Sequence, residues 1–212
     1  MKIALIGASG RVGRAILAEA LSHGHTVTAI ARNAAKLPAN PNLKTINADV
    51  AKADETAAAV KGSDAVISAF NSGWANPNIR ADFAKGTEGI IAGVKKSGVK
   101  RILFVGGAGS LVEKGARLVD HPAFNATYKE GALGAADALE RVRKEKDLEW
   151  SFISPAQMIN PGERTGKYRH GHDEPVRNEK GESAISMGDL AHAILDEIEK
   201  PKHIRQRFTV GY

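Results

Sequence analysis

The sequence contains no cysteine. Disulfides, a thiolate nucleophile and thiolate metal ligation are excluded, and the expected compartment is a reducing cytoplasm. Aromatic residues make up only 5% of the chain, and its basic residues are dispersed among acidic ones. With no basic stripe interleaved with aromatics, nucleic-acid binding is not expected. No apolar run is long enough to span a bilayer, and the N-terminus reads as a strand rather than a signal peptide. No membrane role is expected. What is present is ordinary for a globular protein: 212 residues, 42% hydrophobic and 25% charged, enough for one domain with a substantial core. The net charge of +6 suits a polyanionic cofactor.

The most informative stretch is Gly7-Ala8-Ser9-Gly10-Arg11-Val12-Gly13. It follows the apolar run Ile3–Ile6 and opens a helical pattern that ends near Gly24. A strand, a glycine turn and a helix start together make a phosphate site. The first backbone N–H groups of the helix are unpaired and its dipole favours an anion. Gly7 allows the tight turn, Gly10 lets a pyrophosphate approach the backbone, and Gly13 lets the helix lie against the sheet. Ser9, Arg11 and Val12 complete the candidate cofactor loop.

Apolar runs that read as strands recur at Thr26–Ala31, Leu43–Ala48, Asp64–Phe70, Arg101–Val105 and Trp150–Ser154, with helical patterns between them. This predicts an α/β fold: a Rossmann-type doubly wound parallel sheet of about six strands in the order 3-2-1-4-5-6. A small C-terminal lobe over residues 157–212 carries one helix, begun by a capping box at Ser186 and Asp189, and a last short strand at Phe208–Val210. Arg32 stands at the carboxyl end of the second strand, the position that meets the adenosine ribose. An acidic residue there would accept from a free 2′-hydroxyl, whereas Arg32 offers a planar cation to a 2′-phosphate. NADP(H) is therefore favoured over NAD(H), with Asn33 and Lys36 placed to assist.

Loops after the strands should face the ligand. Trp74 is suited either to cover a flat aromatic ligand or to anchor its own loop. Ser110 follows the fifth strand as a candidate catalytic serine or as a turn cap. His121 and Tyr128 stand between that strand and the next helix, on the same side. His170-Gly171-His172-Asp173-Glu174 reads as a solvated loop rather than a metal site. A Ser110/His121/Asp120 triad lacks a G-x-S-x-G elbow.

The glycine stretch, Arg32-Asn33, Ser154-Pro155-Ala156 and Pro161–Tyr168 resemble the NAD(P)H-binding atypical short-chain dehydrogenases. Within these the chain is similar to the NADH-flavin reductases, relatives of biliverdin reductase B and of the NmrA-like regulators. The resemblance spans essentially the whole chain. It implies that Asp49 and Val50 border the adenine and that Phe70, Gly106 and Pro155 line the cofactor. It also implies hydride transfer to a flavin, with FMN or FAD as acceptor substrate. One departure is informative. Ordinary short-chain enzymes use Tyr-x-x-x-Lys as a proton donor. Here Tyr128 is followed four positions on by Ala132, and Tyr168 by His172. Carbonyl chemistry that needs a tyrosine acid is disfavoured, whereas a conjugated acceptor can take a hydride and draw its proton from solvent. The alternative is a non-catalytic NADP(H)-sensing regulator of NmrA-like type. The expected partner is a small-molecule acceptor, and the expected state a monomer or homodimer.

Overall fold

A computed structural model describes residues 1–33 and 37–212. Lys36, the expected helper of Arg32, lies outside the described residues. In chain order the elements are β1 Lys2–Ile6, α1 Arg11–Ser22, β2 Thr26–Ala31, β3 Leu43–Asn47, α2 Ala53–Val60, β4 Ala65–Ser68, α3 Ile79–Ser97 and β5 Arg101–Val105. A small hairpin follows, β6 Val112–Glu113 and β7 Ala116–Arg117, then α4 Ala126–Val142, β8 Glu149–Ile153, β9 Met158–Asn160, β10 Arg169–Gly171, β11 Ala184–Ser186, α5 Met187–Glu199 and β12 Gln206–Gly211.

Among the described residues the main sheet has eight strands in the order β10-β12-β8-β5-β4-β1-β2-β3. The expected 3-2-1-4-5-6 order is present as β3-β2-β1-β4-β5-β8. The expected count of about six is corrected by two. β12 adds a parallel strand beside β8, and β10 closes the edge antiparallel to β12. The C-terminal segment is thus partly sheet. Its strand reaches beyond Phe208–Val210 because Arg207 is buried, its charge met by Asp173. A charged residue at the start of a short apolar run hid that length from pattern reading.

Both sheet faces are covered, which is why β4 and β5 read as nearly continuous apolar runs. Side chains alternate along each strand. On one face Ile3, Leu5, Ile67, Leu103 and Phe208 pack with α1 and α5. On the other, Ile6, Val66, Ile102, Phe104 and Phe152 pack with α2, α3 and α4. α4 starts at Ala126, three residues before the expected Lys129, because the Asn125 side chain accepts from the Thr127 N–H at 2.9 Å.

The capping box at α5 is corrected as well. The Ser186 hydroxyl accepts from Asp189 N at 3.0 Å as expected, but the Asp189 carboxylate does not return to Ser186. It accepts from Thr165 N and Oγ1, Gly166 N and the Tyr212 hydroxyl. Tyr212 in turn accepts from the Ser186 N–H at 3.0 Å. A phenol from β12's end has replaced the direct arm of the box. Burial pushes the Asp189 carboxyl up, but these hydrogen bonds outweigh it and hold it below the ordinary 3.8.

Tyr212→Phe removes one donor and leaves the Ser186 N–H short of its partner, a loss of about 1–3 kcal/mol. Urea unfolding should read that loss as a lower midpoint at unchanged slope. A group whose carboxyl is depressed by folding stabilises above its unfolded value and loses that contribution as pH falls through the folded one. The contribution of Asp189 should therefore be full above about pH 5 and be lost as pH falls below 3.8 through the lower folded value. Acid unfolding of Asp189→Asn should show a shallower pH dependence than wild type in that window.

Candidate functional site

The carboxyl ends of β1, β2 and β4, with the segment after β3 and the start of α3, enclose a cleft of about 380 Å³, within the range of about 300–1,000 Å³ seen for small-molecule pockets. The glycine turn forms its floor. Gly7 has φ +78°, and a Cβ there would lie 2.4 Å from the Ala69 carbonyl oxygen. Only glycine lets the turn pass that close to the chain leaving β4. A Cβ on Gly13 would meet the Gly7 oxygen at 2.1 Å, so this residue seats α1 on the turn itself rather than on the sheet. Gly10 caps α1 with no side-chain hydrogen bond. The first-turn N–H groups are left to an external acceptor. A Cβ on Gly10 would meet protein only at the Gly7 oxygen, 3.3 Å away. The side of the turn that an anion would approach is open. This donor set fits a dinucleotide pyrophosphate.

The cleft gathers Gly7, Ser9, Gly10, Arg32, Asp49, Val50 and Phe70. Arg32 is exposed at the end of β2 and has no ion-pair partner among the described residues. The Asp49 carboxylate accepts from Ala51 N at 3.1 Å and its own N–H donates to Glu55 Oε2 at 2.8 Å, a local turn that holds buried Val50 at the wall. The Phe70 ring packs 5.6 Å from Phe83 and over Gly86, where a Cβ would be 2.2 Å from the ring.

Other expected residues lie elsewhere. Arg11 turns its guanidinium to the Ile159 carbonyl at 2.9 Å, tying β9 to the glycine turn, and Val12 packs against the core. Gly106 and Pro155 are not among the cleft-lining residues. Gly106 instead makes room for Phe152, whose ring a Cβ would meet at 2.1 Å, and Pro155 is buried. Ser110 is also buried. Its hydroxyl donates to the Gly107 carbonyl at 3.2 Å and lies 3.0 Å from the Ser154 hydroxyl. It faces a second cavity of about 360 Å³ lined by Arg117, Arg143, Asp173 and Arg207 among others. His121 lies 3.2 Å from the Glu113 carbonyl oxygen and is not part of the cleft lining.

Trp74 and Tyr128 do come together, edge to face at 5.5 Å and 89°. Both are exposed, at 60% and 50%, and the indole rests on Gly131, where a Cβ would come within 2.5 Å of it. Trp74 thus anchors its loop to α4 and still presents aromatic surface to solvent. His170 is corrected from loop to strand: it lies in β10 and stacks 5.7 Å from His203.

Sequence reasoning puts the loop of residues 72–77 on the ligand side but does not single out Asn71, Ser72, Asn76, Asp82 and Lys85, all on the cleft. The asparagines after β4 were a signal for Asn71 and Asn76. The side chains of these two and of Ser72 fold the loop: Asn71 Oδ1 accepts from Gly73 N at 2.7 Å and Ser72 donates to the Ile79 carbonyl at 2.8 Å. Asn76 Nδ2 donates to Asp82 at 2.8 Å. Asp82 and Lys85 carry no sequence signal, because only the seating of α3 brings them to the cleft.

Comparison with known proteins gives this geometry a family. A family profile described as NAD(P)H-binding matches residues 7–201. Bacillus subtilis YwnB is 40% identical over 214 residues, covering 99% of this chain and 98% of its own. A solved structure of a proposed epimerase from Bacteroides thetaiotaomicron is 47% identical with a TM-score of 0.91, covering 100% of this chain and 96% of its own. A proposed NADH-flavin reductase from Streptococcus pneumoniae is 38% identical with a TM-score of 0.87, covering 100% and 99%. The chain belongs to the NAD(P)H-binding family, as an oxidoreductase-type Rossmann protein of the atypical short-chain dehydrogenase kind.

Proposed function

We propose that the protein is an NADPH-dependent cytoplasmic reductase of flavin or a similar flat conjugated acceptor. The observation that carries this reading is the exposed Trp74–Tyr128 pair on the loop and helix beside a glycine-turn cleft. An open indole supplies apolar area and a π-face to a flat ring system. The flavin-reductase description of the Streptococcus pneumoniae relative supports the same acceptor class. The absence of a lysine four residues after Tyr128 agrees with an acceptor that needs no tyrosine acid.

In this reading NADPH would supply the hydride. The chain's own groups bind and orient. The first-turn N–H groups of α1 hold the pyrophosphate, Arg32 holds the 2′-phosphate, and Val50 and Phe70 flank the adenosine. Ser110 is a positioning residue. Its hydroxyl joins the turn after β5 to the one after β8 through Ser154, fixing the two loops that border the acceptor.

Steady-state NADPH oxidation with FMN, FAD and a quinone tests the function. Turnover with at least one is expected, whereas tight cofactor binding with no rate for any of them would point to a regulator that only senses NADP(H). Trp74→Ala should raise the acceptor KM by about two- to tenfold, with NADPH affinity unchanged, because one aromatic pair contributes about 0.5–1.5 kcal/mol. Gly10→Val should abolish cofactor binding in a folded protein, since its side chain would fill the pyrophosphate's space.

Arg32 should set cofactor choice. A charge-assisted hydrogen bond contributes about 1.5–3 kcal/mol, and each 1.4 kcal/mol is about tenfold. Wild type should bind NADPH roughly ten- to a hundredfold tighter than NADH, less so at high salt because Arg32 is exposed. Arg32→Ala should lose most of that preference by weakening NADPH alone. Isothermal titration of both cofactors decides it, and equal wild-type affinities would remove Arg32 from the ribose site.

A further inference from the structure

At the opposite end of α1 from the glycine turn, three histidines and two glutamates converge. Glu199, the last residue of α5, lies with its Oε1 2.7 Å from His23 Nδ1 and 2.7 Å from His25 Nε2. On the other side of the His23 ring, Nε2 is 3.2 Å from Glu19 Oε1, which also lies 3.1 Å from His192 Nδ1. The donor atoms of each trio lie within 4.8 Å of one another. The side chains of His23, His25 and Glu199 are 20%, 10% and 23% exposed. An ion can reach them, yet they are held by the surrounding fold.

The two trios are not equivalent. Arg164 Nη1 sits 2.8 Å from Glu19 Oε1 and 3.1 Å from His23 Nε2. A guanidinium already neutralises that half and would repel a second cation. In the half formed by His23, His25 and Glu199, Arg164 touches only the far nitrogen of His23, and no Lys or Arg among the described residues contacts His25 or Glu199; the N-terminal ammonium of Met1 lies 3.2 Å from His25 Nδ1. Two imidazoles and one carboxylate suit a first-row transition ion, while magnesium and calcium prefer oxygen alone. Zinc–ligand bonds of about 2.0–2.2 Å in tetrahedral geometry set neighbouring donors about 3.3 Å apart. The present 2.7 Å contacts need only open by about half an ångström.

We propose that His23, His25 and Glu199 form a divalent transition-metal site, zinc foremost, that clips the end of α5 to the turn between α1 and β2. Binding uses the lone pairs of His23 Nδ1 and His25 Nε2, so each ring carries its proton on the other nitrogen; for His25 that is Nδ1, from which the Met1 ammonium, 3.2 Å away, must withdraw. For His23 that nitrogen faces Glu19 Oε1. A carboxylate accepting from the far side of a ligating imidazole fixes its tautomer and raises its basicity. Arg164 is 48% exposed and can keep its bond to Glu19 while it swings away from the ring.

The test uses tag-free full-length protein stripped with chelator. Zinc chloride is titrated by calorimetry and by thermal melting, with magnesium chloride as the comparison. One zinc per chain and a melting point raised by several degrees are expected, with no response to magnesium. His25→Gln and Glu199→Gln should each weaken zinc by at least tenfold while leaving NADPH affinity unchanged, which also shows that they fold. Glu19→Gln should keep saturable binding, because the amide oxygen still accepts from His23. Cobalt chloride should give a visible d–d band in wild type that is lost in His25→Gln. Absence of wild-type zinc binding, or equal binding in wild type, His25→Gln and Glu199→Gln, would overturn the site. So would a larger loss in Glu19→Gln than in Glu199→Gln.

Discussion

The turn between β1 and α1 depends on the absence of two side chains. Gly7 lies under the Ala69 carbonyl and Gly13 lies on Gly7 itself, each closer than any Cβ permits. These approaches bring α1 down onto the chain leaving β4 and aim its uncapped N–H groups into the cleft. Without them the helix would stand off, and the pocket between β1, β2 and β4 would lose its floor. A methyl at either position must displace backbone rather than a flexible side chain. The fold and the candidate cofactor site therefore share one steric condition.

Buried polar groups add to the apolar packing of α5 and β12 in attaching the C-terminal third to this frame. Asp189 gathers Thr165, Gly166 and Tyr212, and Arg207 of β12 pairs with Asp173. Arg101 of β5 reaches Glu197 of α5 at 3.0 Å, and Ser151 and His203 bind the same carboxylate. Burial lowers the Arg101 guanidinium, with Glu197 opposing. Such buried pairs gain little over an apolar substitute, but removing one partner strands a charge. Their effect is directional: β12 and α5 have one register on the sheet, and β9 is brought to the glycine turn through Arg11.

The proposed acceptor side is built from segments that pack on small residues. Trp74 needs Gly131, the turn at Gly109 abuts Ala132, and Gly134 faces Phe83. The same small face of α4 that removes a lysine from the expected tyrosine motif lets α4 approach the turn after β5. Ser110 is drawn inward by that packing and bonds Ser154 rather than facing the cleft.

Local chemistry is what the sequence alone determined. Glycine spacing after an apolar run specified the tight turn between β1 and α1, since the requirement for no Cβ shows in residue identity. Alternating apolar runs and helical patterns specified the order β3-β2-β1-β4-β5-β8, because right-handed parallel crossovers leave few other arrangements. The place of Arg32 on the cleft was legible because it follows the carboxyl end of a strand, the edge on which this sheet opens its cleft. Tertiary structure decided whatever depends on partners far apart in the chain. Arg207 is buried with Asp173, distant in the chain, as its charge partner, so β12 looked shorter than it is. Asp189 binds Tyr212 and Thr165 instead of closing its own capping box. Asp82 and Lys85 reach the cleft by the seating of α3, and Glu199 reaches His23 and His25 across more than 170 residues. No local pattern encodes such meetings, because a side chain's environment is set by the elements packed against it and not by its neighbours in sequence.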